Sequence, residues 1–181
     1  MRILETEIRD LLIIEPKLYA DNRGIFFESY QEKKYFESGL EYYFVQDNFS
    51  SSEKGVLRGL HFQIKKPQGK LVSVINGEVL DVALDLRISS PTFGQHQSVV
   101  LSSQNRRQLF VPPGFAHGFL VLSAYADFHY KCTDYYDPAD EAGILWNDGE
   151  LNIDWGSGNP ILSEKDAALP TFSEFRESVS G

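Results

Sequence analysis

Cysteine is nearly absent from this 181-residue sequence, in which Cys132 is the only one. An internal disulfide is therefore impossible, and the class of small secreted proteins held together by disulfides is excluded. Long apolar segments are missing as well, since runs such as Leu11 to Ile14 are far shorter than the roughly 20 residues that span a bilayer. The first residues, Met1 to Glu5, lack the charged-then-apolar layout of a secretory signal. We therefore expect a cytoplasmic protein with no membrane partner.

Positive charge is also scarce, because 17 lysines and arginines stand against 26 aspartates and glutamates, a net charge of -9. Nucleic acids and anionic lipid surfaces bind proteins that present a basic field, so this balance predicts no nucleic-acid partner. A small anionic ligand stays possible, since a few converging cations can hold a phosphate within an acidic protein. The candidate cations are Arg23, Arg58, Lys70 and Lys165.

Helical periodicity is scarce too, and short strand-like runs take its place. From Val56 onward, runs rich in Val, Ile, Leu, Phe and Tyr are separated by Gly, Pro, Asn and Ser at a spacing typical of antiparallel sheets. Two short helices are predicted, one over Gln31 to Gly39 and one starting from an N-cap at Ser163. The pattern indicates an all-β sandwich or barrel, most simply a jelly roll. We expect one domain over residues 1–181, with residues 173–181 as a loose polar tail.

One hairpin is predicted around Asn76-Gly77. This dipeptide suits a type I′ turn, in which both central residues need positive φ. It separates two apolar runs, Lys70 to Ile75 and Val79 to Leu86. We therefore expect these runs to pair with each other as neighbouring strands.

The most unusual segment is Gly55 to Gln63, which places an arginine and a histidine in an otherwise apolar strand-like run. Buried cationic or titratable groups are costly without partners, so they often mark a functional site. Strict alternation would point Arg58 and His61 to opposite faces. Gly59 lies between them, and a β-bulge at this glycine would return both side chains to one face. The alternative is an edge arginine and an ordinary half-buried strand histidine.

Three further segments have a similarly unusual composition. Arg23 and Glu28 flank the aromatic pair Phe26-Phe27, Gln46-Asp47-Asn48 precedes a serine-rich loop, and His117 follows a Pro-Gly turn. Taken singly, these segments are equally well explained by a turn arginine, loop caps and a surface histidine. Their occurrence together favours a shared polar site.

Eight short motifs follow one another from about Arg2 to Asp166, which is nearly the whole chain. They are Asp21-x-Arg23-Gly24, Gln46-Asp47-Asn48, Leu57-Arg58-Gly59-Leu60-His61-x-Gln63, Lys70-Leu71-Val72, Ser90-Pro91-Thr92-Phe93-Gly94, Pro113-Gly114-Phe115-Ala116-His117-Gly118-Phe119, Trp146-Asn147-Asp148 and Ser163-x-Lys165-Asp166. Each is weak or moderate alone, but their order is highly specific, and with it the sequence resembles the dTDP-4-dehydrorhamnose 3,5-epimerases of dTDP-L-rhamnose synthesis. The resemblance implies a cupin-type jelly-roll homodimer that acts on a sugar nucleotide and uses no metal or other cofactor.

The reaction that the resemblance implies is inversion at C3 and C5 of a dTDP-4-keto-6-deoxyhexose through an enolate. Hydrogens beside a carbonyl are acidic, so inversion needs a base on one face of the sugar, an acid on the other and a group that stabilises the enolate. His61 is the natural base, since imidazole titrates near neutrality. Lys70 opens an apolar strand, so its ammonium could reach the enolate oxygen. The resemblance supports Asp166 as the group that orients His61 and adds Tyr130 as the acid. The structural alternatives are helix capping for Asp166, a solvated strand end for Lys70 and a hydrogen-bonded core position for Tyr130.

The resemblance assigns ligand binding to ten polar residues, namely Arg23, Glu28, Gln46, Asp47, Asn48, Arg58, Lys70, His117, Glu141 and Lys165. The arginines and Lys165 suit the pyrophosphate, because a guanidinium fork matches phosphate oxygens. Tyr136 either lines the pocket or is structural. Phe26 and Phe27 either stack on thymine or fill the core, and we expect a core position for one of them.

Three alternative functions stay open. A related epimerase could invert C3 alone with the same residues. A metal-dependent cupin would need a histidine cluster, whereas the four histidines, His61, His96, His117 and His129, show no pair one residue apart. A sugar-binding jelly roll without catalysis would need the same polar and aromatic groups but no matched base and acid.

Overall fold

The computed structural model describes residues 1–179 and consists mainly of antiparallel strands. In chain order the strands within this range are β1 (Arg2–Glu5), β2 (Leu12–Glu15), β3 (Tyr19–Asp21), β4 (Gly24–Phe26), β5 (Gln46–Glu53), β6 (Leu57–Gln63), β7 (Lys70–Asn76), β8 (Glu78–Asp85), β9 (His96–Ser102), β10 (Gln108–Val111), β11 (Phe115–Val121), β12 (Tyr125–Cys132) and β13 (Glu141–Gly143). The helices are α1 (Glu32–Glu37), α2 (Glu164–Ala167) and α3 (Phe172–Val179).

Most strands belong to two sheets that face each other. One sheet has the order β1-β2-β10-β7-β12-β5 and the other the order β13-β6-β11-β8-β9, while β3 and β4 form a separate hairpin. The predicted all-β jelly roll is confirmed.

A single hydrophobic cluster joins the two sheets. Val72 and Phe128 from the six-stranded sheet meet Ala83 and Phe119 from the five-stranded sheet, and none of the four is more than 5% exposed. The rings of Phe119 and Phe128 stack with their centroids 4.1 Å apart. Full burial of one such side chain contributes about 1.5–3 kcal/mol, so this cluster holds the sheets in a fixed relation beside the site.

The outer face of the five-stranded sheet is covered by the C-terminal segment. Val82 and Leu84 pack there against Trp155 and Phe172 in a second cluster. Strand β8 thus carries apolar side chains on both faces, and those on its outer face require a cover to exclude water. The prediction of a loose tail is wrong for residues 173–179, which belong to helix α3. Residues 180 and 181 of that predicted tail lie outside the described residues.

The predicted hairpin around Asn76-Gly77 is also wrong: the chain bends at Gly77, but Asn76 ends strand β7 without the positive φ that a type I′ turn needs. Gly77 has φ +80°, and a Cβ at this position would lie 2.1 Å from the Tyr125 carbonyl oxygen, so only glycine fits. Strand β7 pairs with β10 and β12, whereas β8 pairs with β11 and β9. The turn carries the chain from one sheet to the other, because turn residues set local φ angles and not the choice of pairing partner.

The two predicted helices are confirmed. Helix α1 lies within the predicted range and is followed by Gly39 at φ +91°. Helix α2 begins after Ser163, whose side chain accepts a hydrogen bond from the Asp166 backbone N–H at 3.1 Å. No helix within residues 1–179 is long and apolar enough to cross a membrane.

Candidate active site

Two adjoining cavities lie where the sheets approach the segment that carries α2. The larger cavity has a volume of about 440 Å³ and the smaller one about 310 Å³. His61, Lys70 and Tyr130 line both of them. Three of the four predicted catalytic residues therefore stand at the boundary between the cavities, and the fourth, Asp166, lines the larger cavity.

The predicted bulge at Gly59 places Arg58 and His61 in the same cavity. Arg58 and His61 are three residues apart in β6, yet they pair with Phe119 and His117, which are two residues apart in β11. One extra residue in β6 is the definition of a β-bulge. Gly59 has φ +125°, and a Cβ there would lie 2.6 Å from the Cα of Gly118, so a side chain cannot be accommodated. The bulge is why both polar side chains line the larger cavity.

His61 is paired with a carboxylate from a distant part of the chain. Its Nε2 lies 2.6 Å from Oδ1 of Asp166, which is only 4% exposed. Burial opposes ionisation of Asp166, but hydrogen bonds from His61, the Gly59 N–H and Ser163 outweigh it and hold the pKa of the carboxyl below its ordinary value. The backbone N–H of Asp166 joins the helix cap while its carboxylate binds His61, so the capping and orienting geometries coexist.

Tyr130 and Lys70 reach the site from two adjacent strands of the six-stranded sheet. Tyr130 alternates with Phe128 and Cys132, both 1% exposed, so its ring points inward as the strand pattern predicts. Burial raises the pKa of the Tyr130 phenol, which therefore keeps its proton. Lys70 pairs with Cys132 in the neighbouring strand, and burial lowers the pKa of its ammonium. A lysine ammonium that is partly withdrawn from water can stabilise a developing negative charge.

A second histidine–aspartate pair lies beside the first. His117 pairs with His61 across the β6–β11 ladder, and its Nε2 lies 2.9 and 3.0 Å from the two carboxylate oxygens of Asp81. Asp81 is fully buried in β8. Asp81 was not predicted as a site residue, although a charged residue that alternates with Val79 and Ala83 in an apolar strand is a detectable signal.

A chain of contacts at the smaller cavity joins three predicted or possible site residues. The Tyr136 hydroxyl donates to Glu141 Oε2 at 2.6 Å, and Lys165 forms an ion pair with the same oxygen. The hydrogen bond to Glu141 raises the pKa of Tyr136 to about 12. Glu141 is held below its ordinary pKa, since these bonds outweigh its burial. Tyr136 thus lines the smaller cavity rather than packing in the core.

Strand β5 brings several polar side chains to the cavities, where the sequence analysis expected a serine-rich loop. Gln46 and Asn48 line the smaller cavity and are joined by a hydrogen bond of 3.0 Å. Ser50 lines the larger cavity. Further along the strand, Ser52 accepts hydrogen bonds of 3.2 Å from the Arg58 guanidinium. One face of β5 lines the cavities and therefore carries polar side chains. For this reason the composition of the strand resembles that of a loop.

Asp47 is not brought to the cavities. It alternates with Gln46 and Asn48 and lies on the opposite face of β5, where Lys131 donates to it at 2.8 Å. Asp47 was predicted to bind ligand, but it does not line either cavity of this chain. The reason is the period of two in a strand, which separates neighbours onto opposite faces.

Arg23 and Glu28 also lie outside both cavities. The Arg23 side chain is 85% exposed and pairs with Asp21 in the β3–β4 hairpin, and Glu28 pairs with Lys34 at 2.7 Å. The expectation that one of the neighbouring phenylalanines fills the core is wrong. Phe26 is 71% exposed, and Phe27 is half-buried beneath the Arg106 guanidinium. The hairpin extends away from the two-sheet body, so neither ring reaches the core.

A metal site requires several donor side chains that converge on one point. Within residues 1–179, no three His, Cys, Asp or Glu side chains converge as a metal site would require. The two histidines of the larger cavity each face a carboxylate instead. Independence from metals stays a prediction from the sequence.

The sequence model of one protein family, described as dTDP-4-dehydrorhamnose 3,5-epimerase, matches residues 5–174. The dTDP-4-dehydrorhamnose 3,5-epimerase of Salmonella typhimurium LT2 is 54% identical to this chain over 177 residues, which cover 96% of this chain and 97% of that protein.

Two solved structures extend this similarity to the fold. The dTDP-6-deoxy-D-glucose-3,5-epimerase of Legionella pneumophila Philadelphia 1, in complex with dTDP-4-keto-L-rhamnose, is 57% identical with a TM-score of 0.92, and the match covers 95% of this chain and 93% of that chain. A 3′-monoepimerase from Streptomyces bikiniensis, in complex with dTDP-quinovose, is 30% identical with a TM-score of 0.90 and covers 96% and 89%.

Proposed function

The chain belongs to the dTDP-4-dehydrorhamnose 3,5-epimerase family, and from this we propose how its own residues carry out the reaction. The enzyme is an isomerase that converts dTDP-4-dehydro-6-deoxy-D-glucose to dTDP-4-dehydro-L-rhamnose, and the predictions of family, cupin-type fold and activity are confirmed. The observation that carries the proposed mechanism is the position of His61, Lys70 and Tyr130 at the boundary of two cavities.

His61 acts as the base. Asp166 binds Nε2 of the ring, which leaves Nδ1 as the nitrogen that takes the proton from the carbon beside the carbonyl. The C–H bond breaks, its electron pair forms the enolate, and the imidazolium that results is stabilised by the ionised Asp166.

Lys70 stabilises the enolate oxygen. Lys70 is half-buried at the boundary of the two cavities, where an electrostatic contact is stronger than in water. By analogy with oxyanion donors, it lowers the barrier by about 3 kcal/mol.

Tyr130 acts as the acid on the opposite face of the sugar. Its raised pKa keeps the phenolic proton available for transfer to the enolate carbon, which completes the inversion. The phenolate then regains a proton from solvent while His61 releases one, so protons balance over each inversion.

The experiment is epimerisation in heavy water, followed by NMR at C3 and C5 separately. We expect deuterium at both carbons and conversion to the L-rhamno configuration. Exchange at C3 alone would instead assign the activity of a 3′-monoepimerase, which the similarity to the Streptomyces bikiniensis protein makes the second candidate. No exchange at either carbon with normal binding would reduce the protein to a sugar-nucleotide binder.

Arg23 supports a homodimer. It lies outside the cavities of its own chain, on a hairpin that exposes Tyr19, Ile25 and Phe26 by 54%, 56% and 71%. Such an apolar arm is normally covered, and a second copy of the chain would supply both the cover and a cavity for Arg23. Light scattering should report twice the chain mass at micromolar concentration. A fully active monomer would remove this proposal.

Two further expectations accompany the mechanism. A cytoplasmic location suits a chain with one buried, unpaired cysteine, Cys132. Because Lys70 supplies the charge that a metal would otherwise provide, prolonged treatment with a chelator should leave activity unchanged.

A further inference from the structure

Gln63 is the last residue of the motif that carries Arg58 and His61, and the mechanism above gives it no role. It ends strand β6, lines the smaller cavity and is only 5% exposed. Burial of a primary amide is costly unless its donor and acceptor atoms are hydrogen-bonded. The partners of this amide therefore indicate what Gln63 does.

The Gln63 side chain binds the backbone on both sides of Tyr136. Its Oε1 accepts a hydrogen bond from the Asp137 N–H at 2.7 Å, and its Nε2 donates to the Tyr135 carbonyl at 3.4 Å. The same Nε2 donates to the Lys66 carbonyl at 2.9 Å. Both N–H groups and the oxygen of the amide thus have backbone partners, and only a primary amide can donate and accept in this way.

The backbone around Tyr136 depends on side chains for its conformation. Tyr135 and Tyr136 lie between β12 and β13, and within residues 1–179 their backbone groups hydrogen-bond to side chains alone. The Tyr136 N–H donates to Gln46 Oε1 at 2.9 Å, and its hydroxyl donates to Glu141. Glu141 is also the residue that pairs with Gln63 between β13 and β6. Gln63 is therefore a central member of the contacts that orient Tyr136.

Gln63 also links the position of Tyr136 to that of the base. His61 and Gln63 are two residues apart in β6, and both line the smaller cavity. Residues at this spacing lie on one face of a strand, about 7 Å apart. The strand that carries the base thus also holds the segment that places the Tyr136 ring in the cavity wall.

We propose that Gln63 is a positioning residue, which holds the segment around Tyr136 so that the tyrosine ring forms a fixed wall of the smaller cavity against the sugar nucleotide. The proposal rests on the proposed function, since it takes the ligand from there. Gln63 acts through Tyr136 and takes no part in proton transfer.

A double-mutant cycle with Tyr136 tests the proposal, with calorimetric titration of dTDP as the measurement. Gln63→Met keeps the length of the side chain and removes the amide, and we expect it to bind dTDP about tenfold more weakly than wild type. In the Tyr136→Ala background the same substitution should weaken binding by less than about twofold, because the ring that Gln63 positions is absent.

The Arg58→Ala background is the control for this cycle. Arg58 lines the larger cavity and lies five residues before Gln63 in β6, roughly 15 Å away along a strand. Substitutions at distant, independent sites have additive effects on free energy. Gln63→Met should therefore weaken dTDP binding by the full tenfold in Arg58→Ala as well.

Gln63→Glu is a second variant with nearly the wild-type shape. Its carboxylate can accept from the Asp137 N–H but cannot donate to the Tyr135 and Lys66 carbonyls. It should weaken dTDP binding with the same dependence on Tyr136. In turnover, both Gln63 variants should raise KM and leave kcat within about threefold, since the groups that move protons are unchanged.

The cycle separates positioning from a general structural role. An equal loss of dTDP affinity in the wild-type and Tyr136→Ala backgrounds would show that Gln63 acts on the whole fold, and would overturn the proposal. Wild-type affinity in both Gln63 variants, or in Tyr136→Ala alone, would also overturn it. If wild type fails to epimerise but its dTDP affinity shows the expected dependence on both residues, the proposed function fails and this inference stands.

Discussion

Two histidine–aspartate pairs stand side by side in this protein, and the structure gives them different surroundings. His61 and Asp166 join strand β6 to helix α2 across 105 residues of sequence, and the His61 side chain is 27% exposed. His117 and Asp81 join two adjacent strands, with side chains 7% and 0% exposed. His61 lines both cavities, whereas His117 lines only the larger one and packs over Phe128.

From this comparison we propose that the same pair of residue types serves different purposes according to its access to the cavities. The accessible pair can exchange protons with a substrate that lies between the cavities. The enclosed pair keeps one ring nitrogen occupied by a buried carboxylate and holds the ring in one orientation, which suits binding. The predictions below test this division, beginning with the largest expected effect.

Removal of each imidazole should separate the two pairs most clearly. His61→Ala should lose epimerisation and deuterium uptake by about 10³-fold or more, because the base is gone. His117→Ala should raise KM, while deuterium exchange by the bound substrate continues. Heavy-water NMR on both variants, at saturating substrate, measures this. Equal loss of exchange in both variants would contradict the division.

Replacement of the acid should leave the base working. Tyr130→Phe keeps His61 and lacks only the phenolic proton. The enolate should therefore form and be reprotonated on the same face of the sugar from which His61 removed the proton. Epimerisation should fall by about 10²-fold or more while solvent exchange persists. Wild-type epimerisation, or loss of exchange as complete as in His61→Ala in a folded protein, would give Tyr130 another role.

Substitution of Asp166 should affect mainly kcat and substitution of Asp81 mainly KM, as for the histidines that these carboxylates contact. Asp166→Asn should lower kcat by about 10²-fold or more, since an amide can favour the wrong imidazole tautomer and cannot stabilise the imidazolium. Asp81→Asn should act mainly on KM, through the orientation of His117.

The control is thermal unfolding, since Asp166→Asn preserves the backbone N–H that Ser163 caps. Loss of such a cap costs about 1 kcal/mol, and this substitution should avoid that loss. A normal kcat in Asp166→Asn would return Asp166 to a structural role.

The smallest expected effect concerns stability at acid pH. The pKa of Asp166 is lowered from 3.8 in the folded protein, so its ionised form stabilises the fold above that pH, and this contribution is lost as the pH falls through the lower folded value. The difference in melting temperature between wild type and Asp166→Asn should therefore be steady above about pH 5 and shrink below it. A melting-temperature difference that grows as the pH falls would contradict the lowered pKa of Asp166 in the folded protein.

Much of the fold and part of the site could be predicted from local patterns. Alternation placed Tyr130 inward, the spacing of polar residues around Gly59 predicted the bulge, and Ser163 marked the start of α2. Each of these depends on a few neighbouring residues, and the rules that apply are steric and periodic. The motif order likewise identified the family.

Relations between distant segments needed the tertiary structure. The Asn76-Gly77 turn is local, but the separation of its flanking strands into two sheets depends on β10 and β12, which arrive later in the chain. Asp47 stands in a motif that was predicted to bind ligand, yet the pleat of β5 turns it to the opposite face from its neighbours. The C-terminal residues are polar enough to look loose, and only the apolar outer face of the five-stranded sheet, where Phe175 packs on Phe62, explains why they form a helix there.

The sequence by itself determined which residues could carry the chemistry, because residue type and local spacing limit what a side chain can do. Only the tertiary structure decided how they are partnered: Asp166 with His61, and Asp81 with His117. A hydrogen bond acts over about 3 Å, so its partner is set by how distant strands and helices pack, and no local pattern contains that information.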